Sequence, residues 1–136
     1  MTQVIPMLSY EDVGAAIDWL GTAFGFKEVE RYEDDDGRVT HGVLSHDGAE
    51  LHVGWPGPAY QSPKRHVETC GAAREWLNVP WIVNGVLLYV DDLDAHYERA
   101  REAGARIIRE REEQPYGRLY SAEDIEGQRW MVMTPS

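Results

Sequence analysis

Asp92-Leu93-Asp94-Ala95-His96-Tyr97-Glu98-Arg99-Ala100-Arg101-Glu102-Ala103-Gly104 repeats the pattern of a stretch eighty residues earlier, Asp12-Val13-Gly14-Ala15-Ala16-Ile17-Asp18-Trp19-Leu20-Gly21-Thr22-Ala23-Phe24-Gly25. Each opens on an aspartate suited to a helix N-cap and closes on a glycine suited to the left-handed C-terminal position. Between them, Val13, Ala16, Ile17, Leu20, Ala23 and Phe24 form one apolar stripe, and Leu93, His96, Tyr97, Ala100 and Ala103 form the other. Outward from the first helix, residues 4–9 read as a strand, with Pro6 suiting an edge position. Strands at 26–32, 39–46 and 49–55 follow, punctuated by turns at Asp36-Gly37 and Asp47-Gly48. Around the second helix the strands fall at 83–91, 105–111, 118–123 and 128–133. Asp12 and Asp92 are 80 apart; Gly25 and Gly104, like Gly48 and Gly127, are 79 apart. The spacing predicts an α+β fold of two tandem βαβββ modules, 1–55 and 83–136, within one domain spanning 1–136.

The connector, residues 56–82, differs from both copies. Pro56, Gly57, Pro58 and Pro63 make its start a loop, and residues 68–77 read as a short helix. It is also the least acidic segment. The 136 residues hold 13 Lys and Arg against 24 Asp and Glu, for a net charge of −11. Residues 1–60 carry −8, residues 61–82 +1 and residues 83–136 −4. A field of that sign repels phosphate backbones and anionic lipid, so neither nucleic acid nor a membrane surface is an expected partner. Cationic or neutral small molecules fit it better. No apolar run approaches the ~18 residues of a membrane span. The single cysteine, Cys70, and a start without signal-peptide character point to the cytoplasm.

These features together resemble the vicinal oxygen chelate superfamily, which includes glyoxalase I, extradiol dioxygenases and bleomycin resistance proteins. The residues carrying the resemblance are the helix from Asp92 to Gly104, Ala15-Ala16-Ile17-Asp18-Trp19-Leu20 with Phe24-Gly25-Phe26, and two later stretches. Those are Pro115-Tyr116-Gly117-Arg118 and Asp124-Ile125-Glu126-Gly127-Gln128-Arg129-Trp130, with Ile125 where proline is usual. Nearly all of the chain except 56–82 is covered. The resemblance implies curled mixed sheets, helices on their convex sides and a cavity enclosed by the modules. It places metal ligands of the metal-dependent members at Ile5, His52, Gly85 and Met131. Only His52 offers a good donor, so no metal and no cofactor are expected.

Strand alternation puts His52, Tyr89 and Met131 on cavity-facing positions, with Met7, Leu87 and Met133 sharing their parity. Trp76 and Trp81 lie in the connector, where no regular element requires them, and aromatic walls bind flat or cationic molecules by stacking. These five (His52, Tyr89, Met131, Trp76 and Trp81) form the expected ligand site. Contact with a second subunit is the competing role for the two tryptophans. Trp19 lies off its helical stripe, which suggests a subunit contact. His41 and His46 read as surface histidines and His96 as core. The favoured function is noncatalytic binding of a small organic molecule, a cationic drug or natural product, by a homodimer. The alternatives are an enzyme of the superfamily, through an unrecognised metal set or with His52 as acid–base group, and an assembly protein with a vestigial pocket.

Overall fold

The two aspartates do cap their helices. Asp12 accepts from the Ala15 amide and Asp92 from the Ala95 amide, each at 3.0 Å. The computed structural model describes residues 1–80 and 84–136. In chain order these form β1 (Met7–Ser9), α1 (Val13–Phe24), β2 (Lys27–Glu33), β3 (Val39–His46) and β4 (Ala49–Gly54). The connector supplies α2 (Pro63–Thr69) and α3 (Gly71–Leu77). The second copy gives β5 (Gly85–Tyr89), α4 (Leu93–Glu102), β6 (Arg106–Gln114), β7 (Gly117–Glu123) and β8 (Arg129–Pro135).

Each copy folds as an open, four-stranded mixed sheet, ordered β1-β4-β3-β2 and β5-β8-β7-β6. The registers repeat as well as the order. β1 runs parallel to β4 with Met7 opposite His52, and β5 runs parallel to β8 with Leu87 opposite Met131. β1 is an edge strand and starts at Met7 rather than residue 4. Proline has no N–H for a ladder, so Pro6 contributes only its carbonyl, which accepts from the His52 amide at 3.0 Å. The connector holds two helices where one was expected. Ser62 caps the first with Pro63 in its first turn, and Cys70, in an extended conformation, separates it from the second.

Both long helices lie against the convex faces of their sheets and share one core. Leu20 and Phe24 of α1 meet Tyr97 and Ala100 of α4, together with Leu44, Leu51 and Val53 of one sheet and Tyr120, Trp130 and Val132 of the other. Phe24 sets its edge on Trp130 at 5.0 Å between ring centroids. At Gly42 a Cβ would stand 2.6 Å from Ile17 Cδ1, so the missing side chain is what lets α1 approach β3. Trp19 has a partner within the chain. Its indole N–H donates to the Ala103 carbonyl at 2.7 Å, and Arg99 reciprocates by donating to the Thr22 and Gly21 carbonyls at 2.7 and 2.9 Å. The helices thus fasten the modules to each other.

A second fastening is the β7–β8 turn. Buried Asp124 accepts from the Tyr10 hydroxyl at 2.5 Å, the Trp130 indole at 3.0 Å and the amides of Glu126 and Gln128. The Glu126 carboxylate accepts the amides of Glu11 and Asp12 at 2.6 and 2.9 Å, just before α1. Glu11 in turn holds the Ser62 amide and the Arg65 guanidinium. Those charge-assisted bonds keep the Glu11 carboxyl below the usual glutamate range. Gly127 has φ +89°, and a Cβ there would come within 2.7 Å of the Lys64 backbone nitrogen. The turn therefore ties both modules and the start of the connector together.

Candidate binding faces and connector cleft

With the helices on the convex side, alternation turns a second set of side chains to each concave face. On the first sheet these are Lys27, Glu30 and Tyr32 of β2, His41, Val43 and Ser45 of β3, and Glu50 and His52 of β4, as the cross-strand pairs show. Met7 flanks His52 from the edge and is 74% exposed. Three rings form a row across this face. Tyr32 and His41 have centroids 5.8 Å apart, and His41 meets His52 edge-on at 5.1 Å. The Tyr32 hydroxyl donates to Glu30, and His52 Nε2 lies 3.6 Å from Glu50. His41 therefore belongs to the same face as His52. Its place beside a turn in the sequence gave no sign of that, because only the β3–β4 register brings the two rings together.

On the second sheet the concave set is Leu87 and Tyr89 of β5, Arg129, Met131 and Met133 of β8, Leu119, Ser121 and Glu123 of β7, and Arg109 and Glu112 of β6. Its charges pair within the face: Arg109 bridges to Glu112, and Arg129 to Glu123 at 3.3 Å. Leu87 and Tyr89 are 51% and 60% exposed, whereas Met133 is buried. The two faces differ in character, one carrying imidazoles and carboxylates, the other thioethers and a neutralised rim.

The residues at the inherited metal positions do not fit a metal. Ile5 precedes β1, Gly85 opens β5, and neither side chain has a donor atom. Met131 offers only a thioether, a weak ligand for hard divalent ions. That leaves His52, one donor where three or four are needed. Among the described residues, no three His, Cys, Asp or Glu side chains group so as to hold a metal ion.

The structure separates the expected site residues. His52 stands on the first concave face, and Tyr89 and Met131 on the second. Trp76, 65% exposed, lines a cleft of about 610 Å³ between α2–α3 and the start of β8, and none of the other three is among its walls. Trp81 lies outside the described residues. Arg129, outside the expected ligand site, builds this cleft. Its guanidinium is buried and donates to the Val79 carbonyl at 2.8 Å and to the Leu77 carbonyl, which holds the end of α3 against β8.

Residues 4–132 match the model of the Glyoxalase/Bleomycin resistance protein/Dioxygenase superfamily. The chain belongs to that superfamily. An uncharacterized protein of Mycobacterium bovis is 28% identical over 135 residues, covering 96% of this chain and 81% of the relative. Among solved structures, TioX from Micromonospora sp. ML1 is similar with a TM-score of 0.70 and 27% identity, over 99% of this chain and 97% of TioX. TnmS3, an antibiotic binding protein from Streptomyces sp. CB03234, has a TM-score of 0.71 at 20% identity, covering 100% of this chain and 98% of TnmS3. The superfamily fold expected from the repeat is thus the fold of this chain. Among the described residues, no helix is long and apolar enough to cross a membrane.

Proposed function

We propose that the protein is a noncatalytic, metal-free binder of a small organic molecule bearing a flat cationic group, acting in the cytoplasm as a homodimer. The observation that carries this is the pair of concave faces, on which Met7, Tyr32, Leu87 and Tyr89 are left uncovered, with one metal donor where a metal-dependent site needs several. On the first face two carboxylates, Glu30 and Glu50, stand against one ammonium, Lys27, beside the row Tyr32, His41 and His52. Rings and carboxylates in that arrangement hold a planar cation by stacking and charge, at ~0.5–2 kcal/mol per ring contact. The likeness of fold to TnmS3, an antibiotic binding protein, agrees with a drug or natural product as ligand.

In the proposed dimer, each face lies on the far side of its sheet from the shared core, and His52 of one copy and Tyr89 and Met131 of a second copy hold one ligand. Pairing also covers Met7, Leu87 and Tyr89, which are otherwise exposed. Titration with proflavine, a planar tricyclic cation, tests the function. His52→Arg and Met131→Arg each place a like charge on one face and are expected to weaken binding about tenfold or more. Wild-type affinity in both variants would put the ligand elsewhere.

A further inference from the structure

We infer that the cleft between α2–α3 and the start of β8 is a second binding site, separate from the concave faces, and that it takes a neutral planar aromatic molecule. The cleft has the volume of a small-molecule site, about 610 Å³. Its outer wall is Trp76, a large ring left mostly uncovered on a helix with no buried residue of its own. The apolar remainder comes from Pro63, Ala72, Ala73 and Leu77.

The polar lining decides the ligand's charge. Although the chain has 24 acidic residues, none is among the described residues that line this cleft. Its cation, Arg129, is already committed to Glu123 and to the Leu77 and Val79 carbonyls. Tyr60 stays protonated, because burial pushes its hydroxyl up to about 12, and it donates to the Ser9 carbonyl at 3.0 Å. What remains toward the cleft is polar without a carboxylate: the Gln61 and Asn84 amides, the His66 ring and the Cys70 thiol. The described lining offers no carboxylate to a cationic ligand, and its arginine is already paired, so a neutral ligand fits it better. A flat neutral ring can stack on Trp76 and satisfy its polar edge with an amide. The first concave face, with its carboxylates, selects the opposite kind of molecule.

Fluorescence titration with N-phenyl-1-naphthylamine, a neutral probe with a flat naphthyl ring, tests this. Trp76→Ala, at an exposed position, is expected to weaken its binding about tenfold, whereas Trp76→Phe, which keeps a ring, stays within about threefold of wild type. His52→Arg leaves the probe's affinity unchanged, and saturating proflavine does not displace it. Unaltered affinity in Trp76→Ala would overturn the proposal, as would displacement by proflavine or an equal loss in His52→Arg. Probe binding that depends on Trp76 in a protein that fails to bind proflavine supports the cleft and defeats the concave-face reading.

Discussion

Replacing Asp124 by alanine is expected to destabilise the protein by about 3–5 kcal/mol, more than any change confined to a binding face. Two of its partners, the Tyr10 hydroxyl and the Trp130 indole N–H, belong to fully buried residues and would lose their acceptor. An unmet buried donor costs ~1–3 kcal/mol. The amides of Glu126 and Gln128 lose theirs as well, and with them the turn that presents Glu126 to the start of α1. Tyr10 comes from the first module and Trp130 from the second, so the loss falls on the contact between modules. Urea unfolding measures it. Asp124→Asn, which keeps one carbonyl oxygen, should lie between wild type and alanine. A loss below about 1 kcal/mol in Asp124→Ala would mean that water replaces the carboxylate and the turn is not a fastening point.

The second large effect is an acid sensitivity centred on His96. This ring is buried in the shared core, stacks on Phe24 at 5.3 Å and shares a 2.6 Å hydrogen bond with the Tyr120 hydroxyl. Burial lowers its pKa to about 4, with His46 and Arg99 adding repulsion and the Phe24 carbonyl opposing them. In the unfolded chain it titrates near ~6.5. The folded value is the lower one, so the unfolded state binds more protons between the two. The stability due to neutral His96 is therefore complete above pH 6.5 and is lost as the pH falls toward 4. The loss is roughly 3 kcal/mol at the bottom of that window. Asp124 and Glu126, whose carboxyls burial raises, contribute the opposite slope in acid. The diagnostic quantity is hence the difference between wild type and His96→Gln. The variant should show a shallower fall in unfolding free energy between pH 6.5 and 4, and parallel curves would contradict the assignment.

How much of this the sequence carried differs by element. The duplicated unit was legible because its signals are local: Asp12 and Asp92 cap, the apolar stripes follow, and a shared offset keeps Met7 across from His52 and Leu87 across from Met131. The first connector helix, α2, had a local signal too, Ser62 followed by Pro63, which the proline-rich start obscured. Other features are set by tertiary contact. A helical wheel places Trp19 off the main stripe without showing that Ala103 waits there. Parity puts His52 on the concave face, yet it does not show that His41 stacks beside it or that the two concave faces belong to separate sheets. Arg129 reads as one cation among 13, and only the docked connector makes it the pin of a cleft.

In the proposed dimer, one ligand is gripped by the first concave face of one copy and the second concave face of another. Mixed dimers containing one His52→Arg chain and one Met131→Arg chain test it most directly. In such a dimer one site carries both substitutions and the other carries neither. Proflavine titration should then find one site per dimer with wild-type affinity, although each parent homodimer binds it about tenfold or more weakly. Mixed dimers that bind as weakly as their parents would instead mean that each chain binds its ligand alone, and that no site is shared between copies.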